Sequence, residues 1–313
     1  MTFHRKLRLA ITGSTGMIGS AIVRYFENQG HVVYRILRPE SPFQARDEDQ
    51  IHWDIISKQM DLDRLENMDV VIHLTGANLA QKRWTKNFKQ EILSSRRDST
   101  TFLCEALYKL KNPPQILFSA SAIGFYGCHH GLESLDENAI QGGDFLAQVC
   151  GEWEQATRGA ELAGIRVIHM RMGAVISEKG GALAKMLPIF KLGLGGPIGS
   201  GRQIFSWIAL DEIPLAIMHL ITKASHIKGA VNFVSPDSVS NAEFSKMLGQ
   251  VLNRPAFLSA PGFAMKMVFG EMADALLLSS SNVISKNLKN SGYQFQYPSL
   301  KETLIHYLKH KKH

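Results

Sequence analysis

The chain opens with an apolar segment that leads into a three-glycine turn and then into an amphipathic stretch. Residues 7–12 predict a strand, Gly13, Gly16 and Gly19 follow it, and residues 20–29 have helical periodicity. In such a strand–turn–helix unit, the first glycine allows the tight turn and the second lets the backbone approach a pyrophosphate. The third lets the helix pack closely on the strand. The spacing predicts a dinucleotide-binding unit at the start of a Rossmann fold, with a plain tight turn as the alternative.

Apolar β-rich runs then alternate with helical patterns, which is typical of a parallel, doubly wound α/β sheet. The predicted strands cover residues 7–12, 31–37, 51–54, 70–75, 115–120 and 166–171, and the predicted helices cover residues 17–29, 85–109 and 145–163. Residues 192–201 are too rich in glycine for a helix and predict an ordered loop near the site. We expect a Rossmann domain over residues 1–234, with a glycine-rich substrate loop at 180–204, and a smaller, mainly helical C-terminal substrate lobe over residues 235–313.

The end of the second predicted strand indicates which dinucleotide binds. Leu37 and Arg38 occupy the point where a Rossmann fold meets the adenosine ribose. An acidic residue there accepts from the ribose 2′-hydroxyl of NAD, whereas a basic residue suits the 2′-phosphate of NADP. No Asp or Glu occurs between Glu27 and Glu40. The pattern therefore predicts NADP, and Arg35 is expected to face away from it.

Composition and charge exclude several classes of function. The formal charge is +7, but the basic residues are spread out apart from the C-terminal tail, so a phosphate-bearing ligand explains the excess and nucleic-acid binding is not expected. Apolar runs fall short of the roughly 18 residues that cross a bilayer, so no membrane partner is expected. The 3 cysteines lack metal-ligand spacing, which predicts neither a disulfide framework nor a metal site and is typical of the cytoplasm.

A further set of motifs extends along nearly the whole chain. With the glycine turn, Arg38, and the segments 74–77 and 119–121, the chain resembles the extended short-chain dehydrogenase/reductase superfamily. It is similar, more narrowly, to the atypical branch of NADP-dependent epimerase family proteins, the sugar-nucleotide epimerase branch with a C-terminal domain of unknown function. The segments that carry the narrower match are 82–85, Ser95-Arg96 with Thr100, 121–127, 143–147 with Trp153-Glu154, 171–173, 193–203 with 206–208, 241–244, Arg254-Pro255 and 270–272.

The resemblance also implies what catalysis requires. The superfamily uses a Ser or Thr at a strand end and a Tyr four residues before a Lys, which places both groups on one helix face. Ser121 stands at the expected strand end, but Phe145 and Val149 fall at the positions of the Tyr and the Lys. Phenylalanine cannot exchange a proton and valine carries no charge. The usual proton relay is therefore expected to be missing.

Three hypotheses follow. In the first, the protein is an oxidoreductase or epimerase whose catalytic residues are Ser121 and a relocated acid, Tyr126, although Tyr126 is equally expected as an aromatic that packs under the substrate. In the second, it binds NADP(H) without turnover, as a sensor or scaffold protein. In the third, His73, Glu91 or Arg96 acts on another substrate, although a histidine on an apolar strand favours a core role.

The predicted site lies at the C-terminal ends of the strands, where ligands of such sheets bind. We expect cofactor contacts from Gly13, Thr15, Gly16, Met17, Ile18, Leu37, Arg38, Asp54, Leu74, Thr75, Gly76, Glu91, Arg96, Arg171, Gly173 and Val175. Arg202 and Trp207 are expected to line the substrate pocket, with a structural salt bridge as the alternative for Arg202. The expected substrate is a small molecule, a nucleotide sugar or another carbonyl compound, and the superfamily implies a homodimer through the helix at 85–109.

Overall fold

The computed structural model describes residues 5–41, 47–128 and 133–309. The strands are β1 (Arg8–Thr12), β2 (Val32–Leu37), β3 (Gln50–Asp54), β4 (Gln59–Met60), β5 (Val70–His73), β6 (Ile116–Ala122), β7 (Arg166–Met172), β8 (Ala174–Ile176), β9 (Ile204–Phe205), β10 (Trp207–Ala209), β11 (Gly229–Phe233) and β12 (Val239–Ser240). The helices are α1 (Met17–Asn28), α2 (Leu62–Leu65), α3 (Lys86–Tyr108), α4 (Phe145–Gln155), α5 (Arg158–Leu162), α6 (Gly181–Lys191), α7 (Glu212–Thr222), α8 (Asn241–Leu252), α9 (Gly262–Phe269), α10 (Glu271–Ala273), α11 (Lys286–Asn290) and α12 (Leu300–Lys309). Short 3-10 turns occupy Asp47–Asp49 and Ile123–Tyr126, and Asp274–Leu278 forms a π-helical turn.

The main sheet of the described residues has eight strands in the order β11-β7-β6-β5-β1-β2-β3-β4. Adjacent strands in this sheet run parallel, except that the edge strand β4 pairs antiparallel with β3. The predicted doubly wound parallel sheet is confirmed, and each predicted strand is found within two residues of its predicted bounds. Because β1 neighbours both β2 and β5, the turns that follow these strands meet at one edge of the sheet.

Both faces of the sheet are buried, and the strand alternation sorts the side chains between them. On β1, Leu9 and Ile11 face one hydrophobic cluster, which α1 and α7 cover, whereas Ala10 faces the cluster on the opposite side. The second cluster is covered by the apolar face of α3, through Leu103 and Leu107. This double burial explains why the strands are apolar runs rather than alternating patterns.

One helical prediction needs correction, and one helix was not predicted. The predicted helix over residues 145–163 is split into α4 and α5, because the Thr157 hydroxyl donates to the Glu154 carbonyl at 2.7 Å and competes with helix continuation. Helix α6, which begins at Gly181 with Gly180 as its N-cap, was not predicted at all. The stretch that follows it, at 192–203, is the expected non-helical loop.

The C-terminal helices share a core with elements that precede residue 234. Apolar residues of α6 and β10 pack with those of α8 and α12, among them Leu183, Trp207, Phe244 and Leu304. The substrate loop region therefore packs as part of the smaller lobe, and the boundary near residue 234 stays a prediction.

Candidate functional site

The glycine turn between β1 and α1 has the geometry of an anion cradle. Gly13 adopts a φ of 64°, and a Cβ at this position would lie 3.2 Å from the backbone of Leu74. Gly16 is the residue before the first turn of α1. Among the described residues, no side chain caps the N-terminus of this helix, and the first turn contains no acidic residue. The free N–H groups and the positive end of the helix dipole are therefore open to a phosphate.

We predict that Gly19→Ala lowers both stability and cofactor affinity. The added methyl would lie 2.2 Å from the Gly13 carbonyl oxygen, so α1 has to move away from β1. Overpacking of this kind costs about 1–3 kcal/mol. Denaturant unfolding measures the loss, and Gly143→Ala, whose methyl would meet no atom within 4 Å, is the control. Equal effects of the two substitutions would contradict the packing role of Gly19.

Arg38 lies at the exposed end of β2, next to the glycine turn. No described acidic residue forms an ion pair with its guanidinium, whereas Arg35 on the same strand pairs with Glu27 of α1 at 3.2 Å. Leu37 is buried and anchors the strand end. The arginine predicted to meet the 2′-phosphate is thus the one whose charge faces solvent.

Asp54 shapes the neighbouring turn at the end of β3. Its carboxylate accepts from the Ile56 and Ser57 backbone N–H groups at 2.8 and 3.2 Å and from the Ser57 hydroxyl at 2.7 Å. The bonds from Ser57, the hydroxyl first, lower the pKa of Asp54. Asp54 therefore fixes the edge beside Arg38, and its contact with an adenine stays a prediction.

His73 is a core residue, as its position on an apolar strand indicated. It is fully buried between Thr12, whose Oγ1 lies 2.8 Å from Nδ1, and Thr100, whose Oγ1 lies 2.9 Å from Nε2. Burial lowers the pKa of His73 to about 3, so the ring is neutral at physiological pH. The Leu74 N–H donates to Thr12 Oγ1 at 3.0 Å, and the network thereby anchors the start of the next turn.

The turn at 74–77 is held by α3. The Ala77 N–H donates to Ser95 Oγ, and the Ala77 carbonyl accepts from Arg96 Nη2, each at 3.0 Å. Glu91, one helical turn earlier, instead pairs with Lys82 at 3.5 Å, and both of these side chains are exposed. Of the two α3 residues predicted to contact the cofactor, only Arg96 reaches the turn at the strand ends.

The predicted residues at the ends of β6 and β7 converge on Glu154 of α4. Ser121 Oγ donates to Glu154 at 2.7 Å, and Arg171 donates to it through Nε and Nη2 at 2.8 Å each. Tyr126 donates to Asn232 Oδ1 at 2.7 Å and accepts from Arg171 Nη1 at 3.1 Å. The structure therefore brings Ser121, Tyr126 and Arg171 together in one network.

This network is buried in the protein. Tyr126 is 0% exposed, Ser121 2% and Arg171 5%. Tyr126 lies on a 3-10 turn inside the core rather than on an open loop, and burial raises its pKa. Arg171 forms an ion pair with Glu154, and its contact with the cofactor stays a prediction. Neither Glu154 nor Asn232 was predicted as a partner, although Glu154 belongs to the Trp153-Glu154 motif.

The face of α4 that meets the end of β6 carries Leu146 and Cys150. A Cβ on Gly124 would lie 3.3 Å from Leu146 Cβ and 3.7 Å from Cys150 Sγ. Phe145 and Val149, which the sequence placed at the Tyr and Lys positions, instead pack in the cluster around Trp84. The α4 side chains beside Gly124 thus lie one residue later than the predicted positions, and neither pair contains a tyrosine or a lysine.

Gly173 and Val175 follow β7 at the expected nicotinamide end. A Cβ on Gly173 would lie 2.8 Å from the Ser206 carbonyl oxygen, so close backbone approach requires glycine there. Val175 lies on β8, partly buried against the main core. The segment beyond it returns to the glycine turn, because a Cβ on Gly180 would lie 2.9 Å from Met17 Sδ. The start of the substrate loop region and the anion cradle are therefore in contact.

The glycine-rich loop is ordered, as predicted. Gly199 N–H donates to the Ala260 carbonyl at 2.8 Å, and Ile198 N–H donates to Asn241 Oδ1 at 2.7 Å. These bonds tie the loop to the C-terminal lobe. Arg202 is exposed and forms no ion pair with any described residue, so its charge is open to a ligand. Among the described residues, Arg202 therefore does not form the structural salt bridge that was the alternative.

Trp207 is a core residue, which corrects the prediction that it lines the substrate pocket. It is 0% exposed and packs among the apolar residues of the smaller lobe. Its indole Nε1 donates to the Asp237 carbonyl at 2.5 Å. The ring is thus packed inside the protein, and its Nε1 has a hydrogen-bond acceptor there.

The remaining features concern membranes, metals and thiols. None of the helices in the described ranges is long and apolar enough to span a bilayer. The same residues contain no cluster of three or more histidine, cysteine or acidic side chains that could hold a metal ion. Among the described residues, Cys104, Cys128 and Cys150 form no disulfide bond.

Comparisons with known proteins agree with this architecture. Residues 9–233 match the NAD dependent epimerase/dehydratase family, and residues 260–307 match a domain of unknown function, DUF1731. An epimerase family protein of Mycobacterium leprae is 39% identical over 300 residues, which cover 96% of this chain and 95% of the relative.

Two solved structures are similar over nearly the whole chain. Human epimerase family protein SDR39U1 (isoform 2), crystallised with NADPH, has a TM-score of 0.87 and 31% identity, covering 97% of this chain and 100% of the human one. The nucleoside-diphosphate sugar epimerase from Corynebacterium glutamicum has a TM-score of 0.77 and 32% identity, covering 98% of this chain and 59% of that longer one. The glycine turn, the parallel sheet and these matches lead to one conclusion: the chain belongs to the NAD dependent epimerase/dehydratase family.

Proposed function

We propose that the protein binds NADP(H) along the C-terminal edge of its sheet. The observation that carries the proposal is the uncapped N-terminus of α1 beside Arg38, whose guanidinium has no acidic partner among the described residues. Both features suit a phosphate: the helix end suits a pyrophosphate, and the arginine suits a 2′-phosphate. The similar human protein was crystallised with NADPH, which supports the same assignment here.

Each part of the cleft has a role in this proposal. Gly13, Thr15, Gly16, Met17 and Ile18 hold the pyrophosphate, Leu37 and Arg38 hold the 2′-phosphate, Asp54 lies near the adenine, and Leu74, Thr75 and Gly76 line the ribose. Gly173 and Val175 lie at the nicotinamide end. Glu91, Arg96 and Arg171 remain proposed cofactor contacts, and of these Arg96 also holds the turn at 74–77. When bound, NADPH supplies a hydride.

We further propose that the protein is an oxidoreductase or epimerase that acts on the carbonyl or hydroxyl carbon of a small molecule. A nucleotide sugar is the favoured substrate class, because the exposed Arg202 suits a phosphate and the similar corynebacterial protein is a nucleoside-diphosphate sugar epimerase. Ser121 and Tyr126 remain the proposed proton-handling residues, and a substrate has to turn one of their hydroxyls out of the Glu154–Asn232 network. A homodimer through α3 and a cytoplasmic location belong to the same proposal.

A second candidate function is NADP(H) binding without turnover, as a sensor or scaffold. The observation that favours it is the burial of Ser121 and Tyr126, whose hydroxyls donate to protein acceptors. In addition, α4 places Leu146 and Cys150 beside Gly124, and burial raises the pKa of Cys150 to about 12. A neutral thiol at this position does not exchange protons near neutral pH.

The two candidates predict different outcomes for Tyr126→Phe. If the protein is an enzyme, the substitution should lower kcat by about tenfold or more, the low side of acid–base effects. The measurement is NADPH oxidation, or epimer exchange, with a panel of nucleotide sugars and carbonyl compounds. Tyr108→Phe, a change at an exposed tyrosine, is the control. Saturable NADPH binding with no turnover by the wild type on the whole panel would reject the enzyme and support the second candidate.

A further inference from the structure

Helix α9 is apolar, yet none of its residues is buried. Phe263 is 71% exposed and Met267 72%, and the two lie four residues apart, on one face of the helix. A helix of eight residues gains its stability mainly by packing an apolar face, and α9 leaves that face open. Apolar side chains concentrated on one exposed element are typical of a binding surface, unlike apolar residues scattered singly.

Both ends of α9 are nevertheless fixed by other segments. At its start, a Cβ on Gly262 would lie 3.8 Å from Cα of Gly199, which belongs to the substrate loop. At its end, Arg83 Nη2 donates to the Met267 carbonyl at 3.4 Å. Phe269, the last residue of the helix, packs against the apolar cluster at the starts of α3 and α4. The helix is therefore held in place while its apolar face stays exposed.

These anchors relate α9 to the proposed cofactor and substrate segments. Arg83 lies between the turn at 74–77, which is proposed to line the ribose, and the start of α3. Gly199 lies on the substrate loop, three residues before Arg202. Eight residues of helix span about 12 Å, which is the length of a small molecule. Helix α9 thus bridges the two segments that are proposed to flank the bound cofactor and the substrate.

The exposed apolar surface continues from α9 onto the substrate loop. The Leu258 N–H donates to the Gly195 carbonyl at 3.2 Å, so the segment that leads into α9 lies alongside the loop. Leu258 and Leu194, the neighbour of Gly195, are both exposed. Together with Phe263 and Met267, these two leucines form what we call the α9 surface.

A cation without an acidic partner lies on the same loop. Arg202 is exposed and forms no ion pair with any residue that the structure describes. The acidic side chains close to α9 are already paired, Asp274 with Lys266 and Glu271 with Lys89, each at 2.7 Å. The charge that remains open beside the α9 surface is therefore positive and suits an anionic group.

We propose that the α9 surface is a subsite for a hydrocarbon group of the substrate, so that the substrate is an anionic amphiphile. Its phosphate binds Arg202, and its acyl or prenyl chain lies on Phe263 and Met267. The assignment rests on the proposed function and narrows its substrate class to phosphorylated compounds that carry such a chain. An amphiphile accounts for both features, whereas a purely apolar partner would cover the Arg202 charge without pairing it.

The test uses butyl phosphate and octyl phosphate as probes, titrated calorimetrically into NADPH-saturated protein below micelle-forming concentrations. The probes share one phosphate and differ only in chain length. Octyl phosphate should bind about tenfold or more tighter than butyl phosphate, because each methylene laid on an apolar surface adds about twofold in affinity. The double variant Phe263→Ser with Met267→Ser should reduce this ratio to about threefold or less. Arg202→Met should weaken both probes by about fivefold or more and leave their ratio unchanged.

Leu162→Ser is the matched control. Leu162 is also 71% exposed, but it lies on α5, which leads into the opposite, N-terminal edge of the sheet, so both affinities should stay at the wild-type values. Equal wild-type affinities for the two probes, an unchanged ratio in the double variant, or no effect of Arg202→Met overturns the assignment. If the double variant does not fold, the wild-type ratio and Arg202→Met decide.

Two further measurements address other occupants of the α9 surface. A wild-type dimer in sedimentation velocity that the double variant dissociates would assign the surface to a second copy of the chain. Wild-type binding to phosphatidylglycerol vesicles that the double variant loses would assign it to a membrane. Either result overturns the small-molecule subsite. Wild-type protein that does not bind NADPH would instead reject the proposed function, and the two alkyl phosphates, titrated without cofactor, would still test the α9 surface.

Discussion

Replacing Glu154 by leucine should lower the free energy of unfolding by about 3–5 kcal/mol, because the change leaves the Arg171 guanidinium buried without its counter-charge. Arg171 donates two hydrogen bonds to Glu154 at 2.8 Å, and the two side chains are 6% and 10% exposed. Ser121 loses its acceptor in the same variant. Denaturant unfolding monitored by tryptophan fluorescence gives the free energy directly.

The double variant Glu154→Leu with Arg171→Met tests the cause. Removing both charges should recover much of the lost stability, because apolar side chains of similar volume often replace a buried ion pair without cost. Glu152→Leu on the same helix is the control, since its partner Arg97 is partly exposed and such pairs contribute about 0–1 kcal/mol. A double variant that is as unstable as Glu154→Leu would show that packing, rather than charge, sets the stability here.

Arg38→Ala should weaken NADPH binding by about 30-fold or more and change NADH binding little, because a charge-assisted contact to the 2′-phosphate is lost and NADH has no such group. Competition titrations with both reduced cofactors measure the two affinities. Arg35→Ala is a matched control on the same strand, because Arg35 pairs with Glu27. Equal losses for NADPH and NADH would remove Arg38 from the 2′-phosphate site.

The local parts of the fold and the site could be predicted from the sequence. Gly13 and Gly19 have roles that depend on the strand and helix next to them, and apolar runs identify strands that are buried on both faces. The position of Arg38 follows from its place in the first βαβ unit, so it needed no knowledge of distant residues. The ordered glycine-rich loop was also predictable, because its Leu, Ile and Pro content is unlike that of a flexible linker.

The corrected residues depend on contacts between distant segments. Tyr126 lies in the core, where Asn232, more than 100 positions later, accepts a hydrogen bond from its hydroxyl. Arg171 is buried because α4 places Glu154 beside it as a counter-charge. Trp207 was expected to line the substrate pocket, but β10 pairs with β8 and the ring is buried. Helical periodicity alone cannot say which face meets β6, and only the contact with Gly124 identifies Leu146 and Cys150.

We propose that the C-terminal edge of the sheet binds a 2′-phosphorylated dinucleotide. The most direct measurement is calorimetric titration of the wild-type protein with NADPH and, separately, with NADH at the same ionic strength. We predict saturable one-to-one binding of NADPH that is at least about tenfold tighter than that of NADH, since only NADPH offers the phosphate that Arg38 recognises. Absence of NADPH binding, or equal affinity for the two cofactors, would contradict the account.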